Sequence, residues 1–413
     1  MQNDEIFQTE NGLRVCYVEK KKFRKSYVGI GLNYGSRDLK FFLDEKEITS
    51  KEGTAHFIEH KLFEMPYGDA FTELAKLNAH ANAYTDLEKT IYYFTTCGDL
   101  YAPLKVLLEM FFTPYFNLDS VEREKSIIHS EIDMYDDVPD AKFSRKILKT
   151  LFPKCSLSSD VAGTVQSVSR ITALDLERAY CAFYTTDNSY LVIVSSQPRQ
   201  KVYSFVNEVM KKCIVHRGLP KRKEDKIPLE CGSNFVMQAR VEQSQAALAI
   251  RFSANQDMPL FCSFIIGILD SLLSPATKYY KNLHSKKAFS ADIDYYVMTL
   301  RDTSYAVIST TSKLAKLFLS SLESKLKSLS KKDLDKRVLE LYLKHLKAKR
   351  IRALDSIEEL GEEILILALE NASYLEELEL SQNLNIEDFY EYLNYFKTAE
   401  YIQAICKKSA KSH

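Results

Sequence analysis

Apolar residues along the chain recur with two periods, and the order in which the periods alternate predicts two similar runs of strands and helices. Leu13 to Val18, entered from an Asn11-Gly12 turn, and Tyr27 to Tyr34, with Val28, Ile30 and Leu32 on one face, read as strands that begin a sheet. A helix is expected within Gly53 to Phe63 and another near Asp69 to Leu77, then strands around Ala81 to Tyr84 and Ile91 to Cys97. Helical patterns follow from Asp99 to Phe112, from Ser120 to about Tyr135, near Ala141 to Leu151 and over Thr172 to Tyr184. The apolar strand Ser189 to Ser195 and a helix near Gln200 to Cys213 close this half.

His216 to Ser233 carries Pro220, Pro228 and Gly232 among charged residues and reads as a linker. The second half then repeats the order. Strands are expected near Asn234 to Arg240 and Ala246 to Phe252, a helix from Pro259 to Leu273, and strands near Ile293 to Leu300 and Ser304 to Thr310. Long helices follow at Ser312 to Leu329, Lys332 to Leu354 and Ser356 to Leu369, with a helix from Ile386 and a last strand, Tyr401 to Cys406. The pattern predicts an α/β (α+β) fold of two related domains, 1–215 and 234–413, joined by 216–233, each a sheet covered by helices.

Composition changes this picture little. A length of 413 residues fits two or three domains, and 46% hydrophobic content fits well-packed ones. Lysine plus arginine equals aspartate plus glutamate at 56 each, so no global charge favours nucleic acid or an anionic membrane. The basic clusters Lys20-Lys21-Lys22 and Lys407-Lys408 are short, solvated segments. Eight cysteines include no Cys-x-x-Cys pair, which excludes a zinc knuckle or thioredoxin-like centre and leaves them as small hydrophobes. Met1-Gln2-Asn3-Asp4-Glu5 lacks the basic start of a signal peptide, and no run approaches the ~18 apolar residues of a spanning helix. The expectation is a cytoplasmic protein without membrane insertion.

The chemistry concentrates in Gly53-Thr54-Ala55-His56-Phe57-Ile58-Glu59-His60-Lys61-Leu62-Phe63. On a helix, positions three and four apart share a face, so His56, Glu59 and His60 project into a common space. The spacing is that of the inverted zinc motif His-x-x-Glu-His, in which two histidines bind the metal and the glutamate takes up a proton from water. A catalytic zinc usually has three protein ligands, so a third is needed. Glu124 and Glu131 stand seven apart on one face of the next carboxylate-rich helix, beside the apolar stripe Val121, Ile128 and Ile132. Carboxylates near a buried stripe call for a cation.

With these residues the chain resembles the insulinase-type (M16) zinc metallopeptidases, of the short bacterial kind related to pitrilysin and the mitochondrial processing peptidase. It is most similar to bacterial members whose names associate them with elongation factor P modification, through His56-Phe57-x-Glu59-His60-Lys61-Leu62-Phe63-Glu64 and Glu131-Ile132-x-Met134-Tyr135-Asp136-Asp137. The resemblance implies zinc held by His56, His60 and Glu131, Glu59 as the base, and Glu124 supporting a ligand histidine. It also implies that Asn82, Ala83, Tyr84 and Thr85 form an edge strand that pairs with extended substrate, which small Ala81 and Ala83 let come close. His80 reads as structural or solvent-facing.

The same resemblance implies a half-unit of two related domains with mostly antiparallel sheets, only the first bearing metal ligands. Two half-units would enclose a peptide substrate, so a homodimer or a heterodimer with a related subunit is expected. One departure stands out. Family half-units often carry an arginine and a tyrosine in the second domain, yet His284 occupies the arginine position and no tyrosine falls at the usual place. Tyr295, Tyr296 and Arg301 are candidate substitutes, or a partner supplies the pair, which favours a heterodimer. The expected activity is zinc-dependent endopeptidase action on peptides or leader segments. A dedicated maturation peptidase for a ribosomally made peptide and a non-catalytic scaffold subunit are the alternatives.

Overall fold

The computed structural model describes residues 5–223, 225–254, 258 and 260–409. Expectations that touch Met1–Asp4, Glu224 or Pro259 lie outside them. Of the first sheet's strands, Glu5–Gln8 is β1, Arg14–Glu19 β2, Ser26–Leu32 β3, Ala79–Thr85 β4, Thr90–Thr96 β5 and Ser189–Ser195 β6. They lie in the order β1-β2-β6-β3-β5-β4, every pair antiparallel except β2 with β6. The second sheet has Phe235–Ala239 as β7, Gln245–Phe252 as β8, Asp294–Thr299 as β9, Ser304–Thr311 as β10 and Glu400–Lys408 as β11. Its order is β7-β11-β8-β10-β9, again with one parallel pair, β7 with β11. Setting β2 to β6 against β7 to β11, the two sheets have the same connectivity, which is the mark of a duplicated fold.

The two compact units are not uninterrupted segments. The first comprises residues up to Met134, Ser159–Asp225 and Arg352–Tyr374; the second comprises Tyr135–Ser158, Lys226–Ile351 and residues from Leu375 onward. Each half of the chain therefore lends a helix to the other's unit: Pro139–Leu151 packs with the second sheet and Ile357–Leu369 with the first. The break between Asp225 and Lys226 lies inside 216–233, the expected linker, and the two exchanged segments, Tyr135–Ser158 and Arg352–Tyr374, are what an uninterrupted division of the sequence leaves out. The reason is visible in β3, Ser-Tyr-Val-Gly-Ile-Gly-Leu, which is buried at all positions because both its faces are covered. Gly29 and Gly31 leave room for the borrowed helix, since a Cβ on either would meet Leu365 or Leu369 at 3.0 Å.

Within the expected linker, Lys221–Arg222 forms a short strand against Phe42 and Phe41 of a hairpin, Lys40–Leu43 with Lys46–Thr49. That hairpin was not expected, nor was Glu5–Gln8. The helices Lys278–Ser285 and Tyr374–Asn383 were also not anticipated, and the helix expected from Ile386 is a 3₁₀ segment, Ile386–Tyr390, followed by a short helix, Leu393–Thr398. Among the described residues no single helix is long and apolar enough to cross a membrane.

Candidate metal centre

The motif helix runs from Thr54 to Leu62. It begins at Gly53, whose φ of 88° lets the chain turn into the helix where an L-residue would be strained. Phe57, Ile58 and Leu62 are buried in the first unit's core and fix the helix, so His56, Glu59 and His60 are held on the remaining face. Leu118–Asp136 forms the glutamate helix, started by Asn117, whose side chain accepts from the Asp119 and Ser120 amides. Val121, Ile128 and Ile132 bury its inner stripe, and Glu124 and Glu131 flank that stripe half-buried. Lys61 joins the helices. Its ammonium, fully buried, donates to Ser120 Oγ at 2.8 Å and pairs with Glu64.

The side chains of His56, His60, Glu124 and Glu131 meet. His56 Nε2 lies 3.7 Å and His60 Nε2 3.5 Å from Glu131 Oε2, and one candidate ligand atom from each of the three residues falls within 4.8 Å of the others. Ligands around a tetrahedral zinc with bonds of about 2.0–2.1 Å stand roughly 3.3 Å apart, so the donor set fits that ion with a small contraction. Among the described residues this is the one cluster of its kind. His60 Nδ1–H donates to Glu124 Oε1 at 2.9 Å, an arrangement that leaves Nε2 facing Glu131. His56 Nδ1 is buried without a hydrogen-bond partner among the described residues.

The electrostatics follow from crowding. Burial, reinforced by the neighbouring His60, pushes the His56 imidazole down to about 3, so it is held neutral and able to donate a lone pair. Burial opposes charge on His60 as well, but the hydrogen bond to Glu124 and the charges of Glu124, Glu59 and Glu131 outweigh it and raise its pKa. Glu59 is raised above the ordinary carboxylate range by burial, against the opposing pull of the Thr85 hydroxyl and of His60.

Thr85 Oγ1 donates to Glu59 Oε2 at 2.6 Å. Thr85 ends β4, the terminal strand of its sheet, whose outer edge at Asn82, Ala83, Tyr84 and Thr85 pairs with no other strand among the described residues. Asn82 Oδ1 accepts the Ala83 amide at 2.9 Å, and the Tyr84 hydroxyl donates to Glu362 at 3.1 Å. His80 is exposed on the same strand. The Thr85–Glu59 bond, the buried Lys61 tie and Glu362 were not read from the sequence. The first needs strand and helix in one space, and only the last of the three lies far from the motif.

In the second unit, His284 is exposed and its ring stacks on Tyr280, with centroids 6.2 Å apart. The Tyr295 hydroxyl is engaged by Asp270, and Tyr296 stands edge-on to Tyr305.

Residues 14–165 match the family described as Insulinase (Peptidase family M16), and residues 170–341 match its Peptidase M16 inactive domain. The uncharacterized zinc protease YmfH of Bacillus subtilis is 38% identical over 200 residues, 48% of this chain and 47% of that protein. A mitochondrial-processing peptidase beta subunit assigned in Arabidopsis thaliana is 27% identical over 209 residues, 49% of this chain and 38% of that protein. The chain thus matches less than half the length of these relatives. An M16-like peptidase from Alicyclobacillus acidocaldarius, solved by crystallography, superposes with a TM-score of 0.90 at 23% identity, covering 98% of both chains, and shares the fold.

Proposed function

The chain belongs to the insulinase family, peptidase family M16, and from that we propose that it is a zinc-dependent endopeptidase cutting peptides or leader segments. In this reading His56, His60 and Glu131 hold zinc. Bound zinc supplies Lewis acidity, polarising a carbonyl and bringing the pKa of water to about 7. Glu59 accepts the proton of the attacking water and passes it to the departing amine. Thr85 orients Glu59, and Glu124 orients His60. Asn82 to Thr85 hold the substrate by adding it to the sheet edge, which asks only for backbone groups and so admits varied sequences.

The observation that carries this reading is the convergence of His56 Nε2 and His60 Nε2 on one oxygen of Glu131, with Glu59 on the same helix face. The chain is one half-unit, and a second, a copy of itself or a related subunit, completes the enclosure around the substrate. The relative named as a processing-peptidase beta subunit supports the heterodimeric form and, with it, a dedicated maturation role. The test compares zinc content and cleavage of a mixed peptide library for wild type and Glu59→Gln, alone and with any related subunit from the same source. Zinc retained with hydrolysis lost in Glu59→Gln is the expected result. Full activity in the zinc-loaded variant would sink the assignment of the base, and zinc without cutting by any wild-type assembly would leave a scaffold.

A further inference from the structure

The whole chain is balanced in charge, yet its charges are segregated along it. From 355 to 391 there are twelve acidic residues and no lysine or arginine, whereas the helix just before, Lys336–Ala353, carries seven lysines and arginines and one acid, Glu340. The acidic run meets this charge only on the inner side of the helix. There Leu339, Leu343 and Leu346 are buried, Glu377 pairs with Arg350, and the Leu384 carbonyl oxygen accepts from Lys347 Nζ at 3.1 Å.

The opposite side is open. Arg337, Leu341, Lys344 and Ile351 follow one another at intervals of four, three and seven residues, so they share one face, about 21 Å long. All four are exposed, Leu341 at 65% and Ile351 at 51%, with Lys349 exposed on the flank. Arg337, Lys344 and Lys349 pair with no carboxylate among the described residues. Single exposed leucines are ordinary on any surface. Two aliphatic side chains set among unpaired cations ask for two environments at once. A polyphosphate backbone would neutralise the cations and leave Leu341 and Ile351 in water. The surface of an anionic bilayer serves both: its phosphates meet the cations, and its acyl boundary, about 5–10 Å deep, takes the apolar side chains while the long basic stems reach back to the headgroups.

We propose that the outer face of Lys336–Ala353 docks the protein on an anionic membrane surface, with the helix lying in the plane of the headgroups. The contact is peripheral and requires no spanning segment. It stands apart from the peptidase reading, since it uses none of the residues around the metal centre.

The experiment mixes the full chain, in 0.1 M salt, with sucrose-loaded vesicles of phosphatidylcholine alone or of equal parts phosphatidylcholine and phosphatidylglycerol, and measures the bound fraction by sedimentation. Each cation at an anionic surface is worth about fivefold in partitioning, so three predict roughly 100-fold stronger binding to the anionic vesicles. That preference should fall as salt rises. Lys344→Glu with Lys349→Glu should weaken binding at least about 25-fold, whereas the same charge change at exposed Lys21 and Lys22 should leave it within about twofold. Leu341→Ser with Ile351→Ser keeps every charge and should still weaken binding about tenfold. The chain has no tryptophan, so Leu341→Trp places a single reporter on the face. Its emission should shift to the blue with anionic vesicles and stay unchanged with phosphatidylcholine. No binding to anionic vesicles, or equal losses in the two charge-reversed pairs, overturns the proposal. So does an emission from Leu341→Trp that anionic vesicles do not move, which would give the face to a soluble polyanion instead.

Discussion

The Thr85 hydroxyl donates to Glu59 Oε2 at 2.6 Å, so a single hydrogen bond ties the free edge of the first sheet to the carboxylate between two imidazoles. In the proposed peptidase reading, seating a peptide on that edge and aiming the base are then one structural event. Thr85→Val removes the donor while keeping the branched shape, and should lower kcat about 10- to 100-fold, the worth of a hydrogen bond to a charged group. Zinc content and KM should change little. Thr85→Ser restores the hydroxyl and should restore most of kcat. Steady-state kinetics on one peptide decides it, and an unaltered kcat in Thr85→Val would mean the bond has no part in turnover.

Glu124 acts on His60 rather than on a metal, since its Oε1 meets the Nδ1 side of the ring at 2.9 Å while Nε2 faces Glu131. Replacing it by glutamine keeps an acceptor and removes the charge; replacing it by alanine removes both. Zinc affinity should fall in that order, by roughly 10- to 100-fold for Glu124→Ala, the usual cost of losing a partner behind a ligand histidine. Competition against a chromophoric chelator gives the number. Equal affinity in all three proteins would show that His60 is oriented by packing alone.

How much of this could be read from the chain depends on the range of the interaction. The helical period alone brings His56, Glu59 and His60 to one face, and seven-residue spacing does the same for Glu124 and Glu131, so the site's members were legible. Their meeting was not, because it is set by tertiary ties such as Lys61 to Ser120 across 59 positions. Strand Ser189–Ser195 was legible to the residue because Tyr190 to Val194 form an apolar run with a serine at each end. Lys40–Leu43 and Lys46–Thr49 were missed because four-residue strands carry too little pattern. The allegiance of Ile357–Leu369 to the first unit could not be seen at all. An apolar helical stripe states that a surface is covered, not which sheet it covers.

Lys61 illustrates such a tie. Its side chain is wholly buried, directly after a candidate ligand, and its ammonium links the motif helix to the first turn of the glutamate helix. Lys61→Met keeps length and loses both polar contacts. We expect a loss of about 1–3 kcal/mol, less than for a fully buried pair because Glu64 remains partly in water. Ser120→Ala, which removes one hydroxyl, should cost about 1 kcal/mol. Urea midpoints measure both, and zinc affinity should fall with Lys61→Met because Glu131 rides on the helix that is released. A midpoint shift without any change in zinc affinity would confine Lys61 to packing.

The start of the motif helix gives the last test. Gly53 has φ 88°, and a Cβ there would stand 2.6 Å from the carbonyl oxygen of Ala162. On the facing stretch Gly163, with φ 77°, would put its own Cβ 2.6 Å from the carbonyl oxygen of Glu52. Two backbones thus touch where the helix begins, and neither can yield as a flexible side chain would. Gly53→Ala should therefore cost about 2–4 kcal/mol, combining left-handed strain with overpacking. Because His56 is three residues on, zinc affinity should drop with it. Gly218, at φ 101° with nothing within 4 Å of an added Cβ, isolates the strain, and Gly218→Ala should cost about 1 kcal/mol and leave zinc binding alone. Thermal unfolding of the two variants separates the contributions. If both lose the same stability, backbone strain accounts for Gly53 and the close approach to Ala162 does not hold the helix in place.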